Sequence, residues 1–216
     1  MPTPPLDVPR VLDAQFVAGA VRFEQLPPPQ SVEIAFAGRS NVGKSSLMNA
    51  LLGRRKLVRT SSTPGCTRQI SLFQVKTRKG TELTWVDLPG YGYAKRSHTE
   101  RDSWGELADR YLLERPALAL VLVLVDLRRG IEEDDRALYE LLAQPARVSR
   151  GPLQVLSVAT KVDKVPSSAR KPTFERLRQL APGPLYPFST ELPETHVKLF
   201  DQILRRVGAD QSQAGD

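Results

Sequence analysis

Residues 38–45 read Gly-Arg-Ser-Asn-Val-Gly-Lys-Ser, and this stretch decides the fold. It matches G-x-x-x-x-G-K-[ST], the pattern of a phosphate-binding loop. The apolar run at 32–37 is typical of a strand, and the run at 46–52 is typical of a helix. A glycine-rich turn in that context directs backbone N–H groups and the helix N-terminus toward anionic oxygens. The sequence therefore predicts a nucleoside triphosphate site in an α/β fold. The alternative, a glycine turn with a purely structural role, is disfavoured by the strand and helix on either side.

Each residue of this loop has an expected role. Lys44 is predicted to reach the β- and γ-phosphates, and Ser45 to place its hydroxyl on Mg²⁺. The remaining predicted phosphate contacts are Gly38, Arg39, Ser40, Asn41, Val42, Gly43 and Ser46.

The chain has 216 residues, a length that fits one α/β domain. Seven of its 18 prolines fall within 1–30, so we expect an extended N-terminal arm there, with a short amphipathic turn around 11–17. A single domain is expected over 31–208. The polar residues 209–216 predict a disordered tail.

Composition limits the class of protein. One cysteine, Cys66, provides no internal disulfide and fits a reducing, cytoplasmic setting. The longest apolar run, 117–125, is too short for a membrane-spanning helix and indicates a strand buried on both faces. The N-terminus has no apolar segment typical of a secretory signal.

The net charge of +7 and the pI near 9.7 suit contact with a polyanion such as RNA, although each basic cluster alone also fits a solvated surface. The clusters are Arg54-Arg55-Lys56 with Arg59, Arg128-Arg129, Arg147 with Arg150, Arg170-Lys171, and Arg205-Arg206.

From residue 32 onward, the predicted strands and helices alternate, which is typical of a parallel sheet with helices on both faces. Residues 56–68 predict a long polar loop of the kind used for function. The runs 70–77 and 82–87 predict a hairpin, which supplies one antiparallel strand. The later elements are predicted as a helix around 104–112, strand 117–125, helix 134–143, strand 153–159, a short helix 173–180, strand 184–188 and a closing helix carrying Val197, Phe200, Leu204 and Val207.

The segment Asp87-Leu88-Pro89-Gly90 follows a predicted strand, where ligands gather in open α/β sheets. Asp87 can hold Mg²⁺, commonly through water, and the Gly90 N–H can meet the γ-phosphate. As an isolated tetrapeptide this would be an ordinary turn, but its distance from Lys44 favours the functional interpretation.

The segment Thr160-Lys161-Val162-Asp163 predicts the choice of base. A carboxylate at Asp163 can accept from N1–H and the N2 amine of guanine, while the Lys161 stem can lie over the ring. The alternative is that Asp163 caps a helix. Phe188, Ser189 and Thr190, after the last strand, are expected to close the purine pocket.

These motifs together resemble the EngB (YihA/YsxC) branch of the TrmE–Era–EngA–septin-like GTPases. The matching patterns are G-R-S-N-V-G-K-S-S at 38–46, T-P-G-x-T at 63–67, D-x-P-G-Y-G-Y-A at 87–94 and T-K-x-D at 160–163. The resemblance implies a three-layer P-loop GTPase (Ras-like) fold with bound GTP or GDP and Mg²⁺. It further implies a role in assembly of the large ribosomal subunit and in septum formation during cell division.

The resemblance also assigns the first switch. Thr67 would ligate Mg²⁺ when the γ-phosphate is present, and the switch would comprise Gly65, Cys66, Thr67, Arg68 and Gln69. Two of these depart from the pattern of the branch, because Cys66 stands where a basic residue is usual and Arg68 where glutamine is usual. The metal ligand is retained.

Hydrolysis is expected to be slow without an activator. Ras-like enzymes place a glutamine after the D-x-x-G glycine to orient the attacking water, and this chain has Tyr91. A partner group or a bound K⁺ could supply the missing stabilisation, and Asn41 is the residue that related K⁺-using GTPases carry. A loop-shaping role that uses positive φ is the equal alternative for Asn41. Lys44, Asn41 and Thr67 are thus the predicted catalytic group.

Three functions compete at this stage. The first is a GTPase switch in ribosome assembly, in which a monomeric protein docks ribosomal RNA of the large subunit or its precursor through its basic surface. The second is a P-loop kinase or ATPase, which Asp163 disfavours. The third is a GTP-binding interaction protein at the division septum with little turnover, which Tyr91 leaves open.

Overall fold

Seven strands form one sheet in the computed structural model, which describes residues 10–58, 69–91 and 98–209, with the backbone alone described at 98–104. In chain order they are β1 (Val11–Ala20), β2 (Val32–Gly38), β3 (Ile70–Thr77), β4 (Glu82–Asp87), β5 (Leu118–Asp126), β6 (Gln154–Thr160) and β7 (Leu185–Pro187). Across the sheet they lie in the order β1-β3-β4-β2-β5-β6-β7. Among these strands β3 alone is antiparallel to the other six, as the predicted hairpin requires.

In the described ranges, five α-helices cover the two faces of the sheet. They are α1 (Lys44–Leu52), α2 (His98–Glu114), α3 (Glu133–Leu142), α4 (Ser167–Leu180) and α5 (Pro193–Arg206). Helices α1 and α5 share one apolar cluster with the sheet, and α2 and α3 share another. Helix α4 packs on the ends of β5 and β6.

The apolar run of β5 shows why both faces must be covered. Side chains alternate along a strand, so Leu120, Leu122 and Leu124 belong to the cluster of α1 and α5. Val121 and Val123 belong to the cluster of α2 and α3. Nearly every residue of β5 is buried, which explains why its sequence does not alternate between apolar and polar. The predicted three-layer, mostly parallel fold is confirmed.

The N-terminal segment differs from its expectation. Residues 11–20 form strand β1, which pairs antiparallel with β3 from Val11–Thr77 to Ala20–Ile70, in place of the amphipathic turn expected at 11–17. The burial of Val11, Ala14 and Ala20 does not alternate strictly, because two register shifts interrupt the pairing. Those irregularities hide the two-residue period that identifies a strand in sequence.

Helix α4 begins earlier than the sequence predicts. It starts at Ser167 rather than 173, with Pro166 as its N-cap. Pro172 lies within the helix and removes one intrahelical hydrogen bond, which is the reason a sequence-based boundary falls after it. The amides of Ala169 and Arg170 both donate to the Pro166 carbonyl, at 2.9 Å, and establish the first turn.

A buried ion pair ties helix α2 to β2. The Arg115 guanidinium donates to both carboxylate oxygens of Glu33 at 2.6–3.0 Å, and Tyr111 donates to Glu33 at 2.7 Å. Glu33 and Arg115 are 1% and 5% exposed. Arg115 also donates to the Pro27 carbonyl at 2.8 Å, so the same group anchors the segment before β2.

We predict that Glu33→Gln lowers the free energy of unfolding by about 3 kcal/mol, because it leaves the buried Arg115 charge without its counter-charge. Urea denaturation of both proteins measures the difference. The matched control is Glu24→Gln, which removes an exposed carboxylate 2.7 Å from Arg110 of the same helix. That exposed pair contributes little to stability, because water screens it. Equal losses in the two variants would contradict the prediction.

Candidate functional site

Apart from the predicted first switch, the predicted site residues lie at the ends of β2, β4, β6 and β7 or in the segments that follow these strands. These strands are parallel, so their carboxyl ends meet at one edge of the sheet. The loop after β5, which the sequence did not single out, ends at the same edge.

The phosphate loop has a backbone conformation that points to anion binding. Asn41 and Gly43 take φ of 64° and 106°. Gly43 is the N-cap of α1 and makes no side-chain cap, and the first helical amides have no acceptor within the helix. Those N–H groups, together with the helix dipole, suit phosphate oxygens. The conformation of Asn41 supports its loop-shaping role.

Lys44 and Asp87 meet at the centre of the site. The Lys44 ammonium donates to the Asp87 carboxylate, and the two side chains are 9% and 5% exposed. A buried pair of this kind is stable only while each charge keeps a partner. Triphosphate and a cation would offer each group a new one, with Lys44 turning to phosphate and Asp87 to the metal. The pair therefore places one positive and one negative side chain at the centre of the candidate site.

The oxygen donors fit Mg²⁺. Asp87 ends β4 and Ser45 stands in the first turn of α1, so a carboxylate and a hydroxyl flank the phosphate loop. Within residues 10–58, 69–91 and 98–209, no cluster of three His, Cys, Asp or Glu side chains is arranged to hold a metal. Mg²⁺ commonly takes one or two protein oxygens and completes its shell with phosphates and water. The donor set is of that type, and the metal when bound would neutralise developing phosphate charge.

Gly90 lies against the phosphate loop. A Cβ on Gly90 would stand 3.1 Å from the Ser40 Cα and backbone nitrogen, so any other residue would force the segments apart. The Ser40 N–H donates to the Tyr91 carbonyl at 2.9 Å, and Arg39 pairs with Tyr91 as a parallel β-bridge. The predicted γ-phosphate glycine is thus fixed beside the loop that binds the other phosphates.

The Tyr91 side chain turns to helix α3. Its hydroxyl donates to Asp135 Oδ1 at 2.9 Å. Burial and the neighbouring Asp135 carboxylate hold the pKa of Tyr91 well above its ordinary value. A neutral phenol engaged in this way does not orient water as a glutamine amide does, which agrees with the expectation from sequence.

Two residues of the T-K-x-D segment hold the phosphate loop. Thr160 Oγ1 donates to the Val42 carbonyl at 2.8 Å, and Lys161 Nζ donates to the Asn41 carbonyl at 2.6 Å. Lys161 also lies 3.2 Å from Asp126 and takes a φ of 57°. This segment therefore supports the loop as well as the predicted base site.

Asp163 is oriented by Ser189. The Ser189 hydroxyl donates to Asp163 Oδ1 at 2.6 Å, and Lys164 Nζ lies 3.1 Å from Oδ2. Burial alone would raise the pKa of Asp163, but these partners lower it, so the carboxylate stays charged. Asp163 lies within a short 3₁₀ helix, Val162–Lys164, and the cap of α4 is Pro166, so the helix-cap alternative is wrong.

The segment after β7 is itself held in place. The Phe188 N–H donates to the Ala159 carbonyl at 2.8 Å, and Phe188 stacks on His196 with ring centroids 5.0 Å apart. Ser189 is 1% exposed, and Thr190 is exposed beside Glu191. Ser189 thus contributes by orienting Asp163, a contact that the sequence did not specify.

Part of the predicted switch lies outside the described residues, namely Gly65, Cys66, Thr67 and Arg68. Gln69 is described. A Cβ on Gly19 would lie 2.8 Å from the Gln69 side chain, which also donates to Ser71 Oγ at 3.3 Å. Gln69 is therefore placed against strand β1. Residues 92–97, which include the end of the D-x-P-G-Y-G-Y-A pattern, also lie outside the described part.

Asp126 is the main residue that the sequence reasoning missed. It ends β5, is 7% exposed, and receives hydrogen bonds from the Arg128 backbone N–H and guanidinium at 2.6–3.1 Å. Burial would raise its pKa, but the hydrogen bonds from Arg128 and Lys161 outweigh burial and lower the pKa to about 2. An aspartate directly after a long buried strand was the signal for it.

Two of the predicted basic residues pair with acidic side chains beside the site and remain exposed. Arg128 pairs with Asp126, and Arg129 lies 2.5 Å from Glu132. Arg55, Lys56 and Lys171 are also exposed. These five side chains therefore belong to the basic surface that the sequence predicts.

Comparison with known proteins agrees with this site. Residues 33–178 match the family described as 50S ribosome-binding GTPase. The chain is 42% identical over 187 residues to a probable GTP-binding protein EngB of Myxococcus xanthus, covering 84% of this chain and 88% of the relative. It is 38% identical over 221 residues to the protein of that name in Desulfatibacillum aliphaticivorans, covering 95% and 97%.

Solved structures share the fold. A crystal structure of Era in complex with MgGDPNP and a segment of 16S ribosomal RNA matches with a TM-score of 0.65 and 26% identity, covering 82% of this chain and 57% of Era. A probable GTP-binding protein EngB matches with a TM-score of 0.61 and 22% identity, covering 82% and 99%. No helix in the described ranges is long and apolar enough to cross a membrane.

We predict that Asp126→Asn destabilises the protein at neutral pH by on the order of 2 kcal/mol, and that this loss shrinks in acid. The folded-state pKa of Asp126 is depressed to about 2 from 3.8. Its stabilisation is therefore present above the unfolded pKa and disappears as the pH falls toward 2. Urea midpoints of both proteins between pH 2 and 7 measure the effect.

The control for this titration is Asp13→Asn, which removes an exposed carboxylate 3.6 Å from Arg54. An exposed pair contributes little, so this variant should follow the wild type at every pH. A penalty in Asp126→Asn that does not change with pH would contradict the electrostatic role.

Proposed function

The chain belongs to the EngB family of GTP-binding proteins, and from this we propose that it is a Mg²⁺-dependent GTPase switch acting in assembly of the large ribosomal subunit. The GTPase domain predicted over 31–208 would also take in strand β1 of the segment 1–30, which pairs with β3, and Ala209, which is buried in its core. The tail would then follow Ala209. The protein would act as a cytoplasmic monomer. The observation that carries the proposal is the charged Asp163 carboxylate, oriented by Ser189 at the same sheet edge as the phosphate loop.

The choice of guanine rests on hydrogen-bond complementarity. Asp163 has two acceptor oxygens, and guanine offers N1–H and an exocyclic amine side by side, whereas adenine has no matching pair of donors. Bound adenine would leave a desolvated carboxylate unpaired, which costs more than the lost contact itself.

Hydrolysis is proposed to be slow. Tyr91 is bonded to Asp135, so we place no protein-supplied base at the attacking water. Lys44 would stabilise phosphate charge, Thr67 and Asp87 would serve the metal, and a K⁺ near Asn41 or a partner group would supply the missing stabilisation.

Docking on ribosomal RNA is supported by family and by charge. The matched family is described as ribosome-binding, and the chain carries a net charge of +7. Exposed Arg55 and Lys56 lie at the start of the predicted polar loop 56–68, which leads into the predicted first switch, so nucleotide state and RNA contact would be coupled there. A role in septation would then follow from ribosome assembly.

The second candidate is a GTP-binding interaction protein at the division septum with little turnover. The engaged Tyr91 hydroxyl favours it, because it leaves the hydrolytic water without a protein partner. Turnover in K⁺ with large subunits present separates the two functions, because only the first predicts acceleration.

We predict that Asp163→Asn reduces GTP affinity by ~100-fold and raises affinity for xanthosine triphosphate. The amide oxygen still accepts from N1–H, while its NH₂ now donates to the C2 carbonyl of xanthine. Isothermal titration with GTP, ATP and xanthosine triphosphate measures the exchange. Weaker GTP binding with no gain in affinity for xanthosine triphosphate would mean that Asp163 does not contact the base. A wild-type protein that binds ATP more tightly than GTP would overturn the proposal.

We predict that the protein sediments with large ribosomal subunits when it carries a non-hydrolysable GTP analogue and much less when it carries GDP. Binding should fall steeply with salt if phosphate contacts carry it. Small subunits provide the control. Equal sedimentation with analogue, GDP and no nucleotide would contradict a nucleotide switch.

A further inference from the structure

Four side chains connect the phosphate loop, the residue after Gly90 and the start of helix α3. The Tyr91 hydroxyl donates to Asp135, and Arg39 pairs with Glu132 one turn earlier on the chain. The backbones of Arg39 and Tyr91 close the connection as a β-bridge. We call Arg39, Tyr91, Glu132 and Asp135 the α3 contact ring.

Asp135 is the anchor of this ring. It is 1% exposed, its Oδ1 accepts from Tyr91, and its Oδ2 accepts from the Glu132 N–H at 2.9 Å. Burial raises the pKa of Asp135, and the Tyr91 hydrogen bond and the Arg39 charge oppose that rise. A buried carboxylate with both oxygens engaged is a rigid support, because releasing either donor leaves it unsatisfied.

Gly90 depends on this support directly. It precedes Tyr91 in the chain, and a Cβ at this position would lie 3.1 Å from the Ser40 backbone, closer than ordinary contact. The Ser40 hydroxyl also lies 3.4 Å from the Gly90 carbonyl. The Tyr91 side chain is bonded to α3 and its backbone to Arg39 and Ser40, so the chain directly after Gly90 is held at both its side chain and its backbone.

We propose that Tyr91 and Asp135 are positioning residues that hold the Gly90 N–H for the γ-phosphate and so set the preference for GTP over GDP. The inference rests on the proposed function, since it assumes that Gly90 meets the γ-phosphate. GDP lacks that phosphate. Loss of the support for Gly90 should therefore weaken GTP binding and leave GDP binding unchanged. Helix α3 thereby becomes part of the nucleotide response.

A purely structural role for the hydroxyl makes a different prediction, and the chain offers a matched control. Tyr139 stands one turn further along α3, is 8% exposed, and its hydroxyl lies 2.6 Å from Ser157 Oγ. Tyr139→Phe removes a buried tyrosine hydroxyl from the same helix without touching the α3 contact ring.

The test compares affinities for GDP and a non-hydrolysable GTP analogue in wild type, Tyr91→Phe, Asp135→Ala, the double variant and Tyr139→Phe. Tyr91→Phe is expected to lower the affinity for the analogue by roughly tenfold, while the affinity for GDP stays within about twofold of the wild-type value. The double variant should bind the analogue no more weakly than Asp135→Ala, because both changes remove the same contact. Tyr139→Phe should lower the melting temperature and leave the ratio of the two affinities unchanged.

Two results would overturn the inference. An unchanged ratio in Tyr91→Phe, with GTP and GDP bound as in the wild type, would refute the positioning role and leave the proposed function intact. A wild type that binds neither guanine nucleotide would remove the proposed function and the inference with it. Tyr91→Phe keeps the test decisive even where Asp135→Ala fails to fold.

Discussion

The backbone of the phosphate loop is the constraint on which the site depends. Two of three successive residues, Asn41 and Gly43, have positive φ, and such a turn does not hold its shape by local preference alone. Distant groups fix it, because Thr160 and Lys161 bond the carbonyls of Val42 and Asn41. The Ser40 and Val42 amides donate to the Tyr91 and Arg39 carbonyls, so the amides of the first turn of α1 are the ones left to face a ligand. The segment proposed to bind the base therefore also shapes the predicted phosphate loop.

Charge pairing explains how a site for a highly charged ligand stays folded without it. Lys44 and Asp87 neutralise each other, and Asp126 is satisfied by Arg128 and Lys161. Each buried charge keeps a partner, which avoids the large cost of an isolated ion. In the proposed function Lys44 and Asp87 would exchange partners for phosphate and metal, whereas Asp126 would keep Arg128 and Lys161.

The sequence predicted the strands and helices better than it predicted the contacts that hold the site residues in place. Strand β5 and helix α1 were visible because burial on both faces and the loop motif leave strong local patterns. Strand β1 was not visible, because two register shifts interrupt the alternation of its buried residues. Helix α4 was predicted too short, because Pro172 is a residue typical of the first turn of a helix. Among site residues, the motifs identified Lys44, Asp87 and Asp163. Asp135 was not predicted, because its hydrogen-bond partner Tyr91 is 44 positions away in the chain and no local pattern encodes such a contact.

Tyr91 shows how a position can lose one function and gain another. A glutamine there would be left to orient water, and such a side chain must remain mobile enough to reach it. A tyrosine whose hydroxyl donates to a buried carboxylate is held in place instead. Its proposed role is therefore to position Gly90 and not to act on the water. Fixing Gly90 favours recognition of the γ-phosphate, while the same rigidity withholds the group that would speed its removal. The single hydrogen bond from Tyr91 to Asp135 therefore supports both proposals, recognition of the γ-phosphate through Gly90 and slow hydrolysis without an outside group.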